Sequence, residues 1–251
     1  MEKNNNEVLN QNKLRQICTL IDEDKCEEAK RLIPDCRLPL VITHYFVLFG
    51  SDISNCPLLH FAIIRDSCDM IEYLLDRGAN IELRGMDGHT PLLTAANYGK
   101  EECCELLLER GASIEARCTR GWTSLIVASY CENENICRLL LKRKANINAQ
   151  DEYGMTSLHY AVGHYNIPMI KLLLSEGARL EKDRDERTPL DVAKIIKQVE
   201  TISLLENQIV ILNLSGVIAR GLTDGLAFSD FLVKGIYDPR LFLFVANFAY
   251  N

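Results

Sequence analysis

Thiols and imidazoles are the side chains of this sequence best equipped for chemistry: it holds ten Cys and five His. A structural zinc site needs Cys and His in short paired spacings, and a thiol redox site needs Cys-x-x-Cys. Neither pattern occurs here. Cys103, Cys104 and Cys137 stand where an amphipathic helix would bury Val, Leu or Ile, so they read as small core hydrophobes. His44, His89 and His164 have no Ser or Cys beside them in a nucleophile elbow. Gly221-Leu-Thr-Asp-Gly225 is too short for a phosphate loop and carries no Lys. The carboxylates are scattered along expected helix surfaces and read as solvated faces. Together these readings predict no catalytic residue, no metal and no cofactor.

The elements that would position any site emerge from internal repetition. Five segments align: Pro57-Leu-Leu-His-Phe-Ala62, Thr90-Pro-Leu-Leu-Thr-Ala95, Thr123-Ser-Leu-Ile-Val-Ala128, Thr156-Ser-Leu-His-Tyr-Ala161 and Thr188-Pro-Leu-Asp-Val-Ala193. Their starts differ by 33, 33, 33 and 32 residues. Leu74-Leu75, Leu107-Leu108, Leu140-Leu141 and Leu173-Leu174 follow in phase. Each pair leads into Gly78-Ala79, Gly111-Ala112, Lys144-Ala145 or Gly177-Ala178. Thr90 suits a helix N-cap and Pro91 the first helical position, where no N–H is needed. Leu92, Ala95 and Ala96 give a slim apolar face, and Cys103, Cys104, Leu107 and Leu108 a second one. Gly111 ends the second helix. Lys144 must take the left-handed conformation that glycine takes cheaply, at a cost of about 1 kcal/mol. Glu186 likewise replaces the Gly found at 88, 121 and 154.

This pattern resembles the ankyrin repeat, with its Thr-Pro-Leu-His-x-Ala signature, over roughly Asp52 to Asn207. The resemblance implies an all-α solenoid of stacked helix-turn-helix units with hairpin loops. It implies that His60 and His159 support neighbouring loops. It also implies a protein-interaction role, with partners bound on the concave side by hairpin tips and first helices. By register that side takes Met86, Asp87, His89, Asn97, Tyr98 and Arg110 in repeat two. Repeat three supplies Thr119, Arg120, Trp122, Tyr130, Cys131 and Arg143. Repeat four supplies Glu152, Tyr153, Met155, Gly163, His164 and Glu176. Trp, Tyr and Arg are the types enriched in binding hot spots, so Trp122 is expected to contact the partner; the alternative is packing on an adjacent hairpin. Asn148 matches the hairpin Asn that an asparaginyl hydroxylase modifies in some ankyrin proteins.

The flanks bound the rest. Leu14–Ile21 and Lys25–Ile33 show helical periodicity, so residues 1–54 read as a degenerate capping repeat carrying an insertion, Pro34–Ser54, expected to form a long finger or a short strand pair. Residues 55–207 hold five repeats. Residues 208–251 read as an apolar helical cap or a docking segment, with a helix expected over Pro239–Ala249 after the Asp238 cap. As a catalytic element that segment is poorly equipped, having no His or Cys. A net charge of −7 and a pI near 5.3 argue against nucleic acid and against a basic membrane-binding patch. No apolar run has the length of about 18 residues that a membrane span needs. The polar start and the unpatterned Cys predict a reducing cytoplasmic or nuclear location. The partner is expected to be a protein, bound by a monomeric array or a subunit of a complex; a regulatory subunit anchored through its C-terminal segment is the alternative.

Overall fold

A computed structural model of the chain describes residues 11–33, 41–42, 47–48, 51–52 and 56–209. The chain forms two units, Met1–Ile202 and Ser203–Asn251. The first contains the repeats as far as residue 202. The second is described only over residues 203–209, so the helix expected at Pro239–Ala249 lies outside the described residues.

The first unit opens with α1 (Gln11–Asp22) and α2 (Cys26–Leu32). Leu14, Ile17, Cys18 and Ile21 line one face of α1, and Ala29 faces inward from α2. Among the described residues, one antiparallel strand pair lies within the insertion and a second joins the insertion to the start of repeat one. β1 (Val41–Ile42) pairs with β4 (Cys56–Pro57), and β2 (Val47–Leu48) with β3 (Ser51–Asp52). Short strand pairing, one of the forms expected for the insertion, occurs among its described residues.

Each repeat then supplies two helices. The first helices are α3 (Leu58–Ile64), α5 (Pro91–Asn97), α7 (Ser124–Tyr130), α9 (Ser157–Gly163) and α11 (Pro189–Ile195). The second helices are α4 (Cys68–Asp76), α6 (Glu101–Glu109), α8 (Glu134–Lys142) and α10 (Ile167–Ser175). A further helical stretch covers 199–209. First helices pack on first helices in chain order, and second helices do the same with α2 at their head. No helix of seven or nine residues is stable alone in water, so this stacking carries the fold.

The core lies between the two files. Leu92, Ala95 and Ala96 are fully buried, as are Cys103, Cys104 and Leu107. The leucine pairs are not equivalent. Leu74, Leu107, Leu140 and Leu173 are buried, whereas Leu75, Leu108 and Leu141 are only half-buried. One residue along a helix turns a side chain by about 100°, which swings the second leucine to the rim of the face.

Side-chain caps set the helix starts. Thr90 Oγ1 accepts the Leu93 N–H at 3.4 Å, and Thr123 Oγ1 the Ile126 N–H at 3.4 Å. In repeat five Thr188 and Asp191 cap reciprocally: Asp191 Oδ2 accepts the Thr188 N–H at 2.9 Å. Helix ends require left-handed backbone, and Lys144 adopts it with φ 70°, beside 88° at Gly111. The hairpin turns hold a second left-handed position, which Gly121 and Gly154 occupy with φ 74° and 76° and Glu186 with φ 61°. A third left-handed position, between the helices of each pair, falls on Asp66, Gly99, Glu132, Tyr165 and Lys197, and only one of these is glycine.

Hairpins join the units into a ladder. Cys118 N–H donates to Trp122 O at 3.1 Å, and Asp151 N–H to Met155 O at 3.0 Å, closing two of the turns. Successive tips are then linked through Thr119 N–H to Asp87 O, Glu152 N–H to Arg120 O and Arg184 N–H to Tyr153 O, at 3.0, 3.2 and 2.9 Å. Side chains staple the same loops: Arg117 Nη1 donates to Gly121 O at 2.9 Å and also to Gln150 O in the next unit. Gln150 repeats the arrangement onto Gly154 O and Lys182 O, both at 2.9 Å.

Candidate protein-interaction face

An aromatic cluster occupies the junction of hairpins and first helices in repeats three and four. Trp122 precedes the cap of α7, Tyr130 ends α7, Tyr160 lies on α9 and His164 caps it. Trp122 lies 4.9 Å from Tyr130 and 5.2 Å from Tyr160, centroid to centroid. Tyr130 meets Tyr160 at 5.7 Å and His164 at 5.0 Å, both edge to face. Such tilted and T-shaped pairs suit the ring quadrupoles and are worth about 0.5–1.5 kcal/mol each. The Arg120 guanidinium covers Trp122 at 5.5 Å.

The Asp151 carboxylate, buried beneath these rings, is the hub of the site. Its Oδ2 accepts the Trp122 indole N–H at 3.0 Å and the Tyr160 hydroxyl at 2.6 Å. Its Oδ1 accepts the backbone N–H groups of Tyr153 at 2.8 Å and Met155 at 2.9 Å. Burial and the bond to Asp151 push the Tyr160 phenol up, so it stays a protonated donor. Asp183 repeats the role in the next hairpin, taking the N–H groups of Asp185 and Arg187 at 2.9 Å. Sequence reasoning missed Asp151, Tyr160 and Asp183. The available signal was an Asp leading a tight turn, in Asp151-Glu-Tyr-Gly154 and Asp183-Arg-Asp-Glu186, the pattern of an Asx turn.

The residues expected on the concave side divide into groups. Met86, Tyr98, Tyr130 and Tyr153 are open to solvent, at 49%, 50%, 42% and 61% exposure. Arg120 and His164 are exposed as well, as are Asp87, Thr119, Glu152, Gly163 and Glu176. His89, Asn97, Cys131 and Met155 are half-buried, and Cys131 Sγ reaches Asn97 Oδ1 at 3.5 Å.

Two expectations need correction. Trp122 is not an open contact residue: it is 9% exposed, with its rim and its only polar atom engaged inside the array. The packing alternative holds, because a ring beside the cap lies over the next hairpin and finds Asp151 there. Arg110 and Arg143 follow α6 and α8 and bind acidic residues of the preceding second helix. Arg110 Nη1 meets Asp76 Oδ1 at 2.7 Å, and Arg143 Nη2 meets Glu105 Oε1 at 2.9 Å. They belong to the second-helix file, and such exposed pairs contribute about 0–1 kcal/mol each.

His60 and His159 do support loops. His60 Nε2 donates to His89 O at 3.0 Å and His159 Nε2 to Arg187 O at 3.2 Å, since a carbonyl can only accept. Nδ1 of His159 accepts the Thr156 N–H at 3.1 Å, which fixes the neutral tautomer. Burial pushes His60 down to about 4 and lowers His159 and His89 as well. Asn148 Oδ1 accepts the Arg179 N–H at 2.8 Å, the place that Glu115 Oε1 takes against the Asn146 N–H one unit earlier. Among the described residues no helix is long and apolar enough to cross a membrane.

Comparison with known proteins agrees with this architecture. A family model described as ankyrin repeats (3 copies) matches residues 59–151, and one described as ankyrin repeats (many copies) matches residues 132–174. Over 102 residues the chain is 30% identical to protein phosphatase 1 regulatory subunit 12A of Mus musculus, and equally to that of Rattus norvegicus. The match covers 39% of this chain and 9% of each relative. Ankyrin repeats generally mediate protein–protein interaction. The 33-residue period, the capped helix pairs in two files and the two family matches identify ankyrin repeats in this chain.

Proposed function

We propose that this chain is an adaptor or scaffold that recruits a partner protein to the hairpin tips and first-helix ends of repeats two to four. One observation carries the reading: Met86, Tyr98, Tyr130 and Tyr153 stand exposed in consecutive units, with Arg120 exposed over the Trp122 ring. Large amphipathic rings on a rigid support lose little entropy on binding, and Tyr and Arg are over-represented in hot spots. The hairpin ladder and the Asp151 hub supply that rigidity. Arg120 favours an acidic or mixed peptide or domain surface as ligand. The array acts as a monomer or as one subunit of a complex, in the cytoplasm or nucleus.

The experiment is affinity capture from native cells, followed by titration of the purified partner against wild type and Tyr98→Ala, Tyr130→Ala and Tyr153→Ala variants. A hot-spot Tyr costs about 2 kcal/mol, close to thirtyfold in Kd. Unchanged affinity of all three, with unchanged circular dichroism, rejects this face.

A second reading draws on the phosphatase regulatory subunits among the relatives and on the apolar composition of residues 208–251: a regulatory subunit anchored by that segment. Deleting Phe228–Asn251 separates the two. The first reading predicts retained partner binding by a folded array, and the second predicts its loss.

A further inference from the structure

Two thiols and a carboxylate converge at the seam between repeats one and two, away from the aromatic face. The turn after α3 delivers Asp66, α4 begins with Cys68, and Cys103 is the third residue of α6. Cys68 Sγ lies 3.9 Å from Cys103 Sγ, and Cys103 Sγ lies 3.3 Å from Asp66 Oδ1. One donor atom from each residue falls within 4.8 Å of the other two.

We propose that Asp66, Cys68 and Cys103 form a binding site for a borderline-soft divalent cation, Zn2+ by its chemistry, that clamps the second helices of the first two repeats together. Zinc–sulfur bonds of about 2.3 Å and zinc–oxygen bonds of about 2.1 Å give a tetrahedron with S···S edges of about 3.8 Å and S···O edges of about 3.6 Å. The Cys68–Cys103 and Cys103–Asp66 separations agree with these within a few tenths of an ångström, and the Asp66–Cys68 separation lies within 4.8 Å. The donor set is also the right kind, because thiolates select zinc over magnesium or calcium.

The surroundings fit a three-ligand site completed by water. Cys103 is fully buried, Cys68 half-buried and Asp66 exposed, so the fourth position faces solvent and the ion has an entry path. Lys100 Nζ binds the other carboxylate oxygen, Asp66 Oδ2, at 3.3 Å and leaves Oδ1 turned to the thiols. Such an outer partner orients a ligand in metal sites. Asp69 and Glu102 add negative charge around Cys68. On binding, each thiol loses its proton to solvent: two R–SH and M2+ give two metal–thiolate bonds and two H+. Cys68 and Cys103 are 35 residues apart and belong to different units, so a search for short ligand spacings does not find them.

Co2+ is the spectroscopic probe. The full chain, reduced with a phosphine, is titrated with Co2+ and the absorbance followed. The expected result is one tight equivalent, an ultraviolet thiolate-to-cobalt band and the visible bands of tetrahedral Co2+, all removed by Zn2+. Cys68→Ser and Asp66→Asn should weaken binding by at least about tenfold, the scale of losing even an outer partner. Asn is well suited to the left-handed backbone of Asp66, so that variant keeps its fold. Cys131→Ser, a half-buried thiol elsewhere, should titrate as wild type. Zn2+ should raise the melting temperature of wild type and not of Cys68→Ser. A wild-type titration without a thiolate band overturns the proposal. Titrations of Cys68→Ser and Asp66→Asn that superimpose on wild type overturn it too, provided that metal-free melting shows both variants folded.

Discussion

Replacing Asp151 with Ala removes four acceptor contacts at once, to Tyr153 N, Met155 N, the Trp122 indole and the Tyr160 hydroxyl. Hydrogen bonds to a charged group contribute about 1.5–3 kcal/mol each, so a naive total would be about 6–12 kcal/mol. The structure lowers that figure. The Tyr153 backbone stands at an exposed tip and rehydrates, and the Tyr160 ring is only half-buried. The indole N–H, in a ring 9% exposed, is the donor that finds no water. A loss of about 3–5 kcal/mol is therefore expected, most of it from that stranded donor and the unpinned hairpin. Trp122 is the only Trp in the chain, so its fluorescence reports the site directly. Urea titration should show an earlier midpoint for Asp151→Ala, and the native emission should shift to the red as the ring meets water. Trp122→Phe keeps the ring packing and gives up one bond, which should cost about 1–2 kcal/mol. If Asp151→Ala costs less than about 1 kcal/mol with unchanged emission, ring packing alone holds the cluster and the hub has no energetic weight.

Two further outcomes follow from local chemistry. His60 has a folded pKa of about 4, below the unfolded value of about 6.5, so its contribution is fully present above about pH 6.5 and is lost as pH falls towards about 4. That loss amounts to about 3 kcal/mol, and burial of His89 and His159 acts in the same direction. Urea midpoints measured between about pH 7.5 and about pH 5 should fall, and a flat profile would refute the assignment. Lys144→Gly should raise stability by about 0.5–1 kcal/mol, because the residue at φ 70° pays for its Cβ; an unchanged or lower midpoint would show the strain to be absent.

The repeat frame was legible because it rests on rules that act locally. Thr at a helix start, paired leucines and a left-handed residue at a helix end each have one cheap structural solution, and four periods of them leave one way to stack. Lys144 and Glu186 show this best, since the register demanded positive φ of residues that dislike it and both adopt it. The same logic reached His60 and His159, whose loop bonds follow from their place in the period. It did not reach the left-handed turn shared by Asp66, Glu132, Tyr165 and Lys197. Those residues share no composition, and what constrains them is the short connection between two antiparallel helices.

The face itself was only partly legible, for a physical reason that Trp122 and Arg110 make plain. Register fixes where a Cα sits, but a long side chain chooses its partner from whatever lies within its reach. Trp122 reaches across to Asp151, and Arg110 reaches back to Asp76, both in a neighbouring unit. Tyr98, at the end of a first helix, and Tyr153, at a hairpin tip, stay half or more exposed. The useful distinction among residues that depart from the repeat pattern is therefore one of satisfaction. A departure whose polar atoms and rim are engaged within the array serves the stack, and a departure left in solvent with a large apolar area is available to a partner. Under the proposed function, the binding energy should therefore concentrate in Tyr98, Tyr130, Tyr153 and Met86, with Trp122 acting through the position it gives Tyr130 at 4.9 Å.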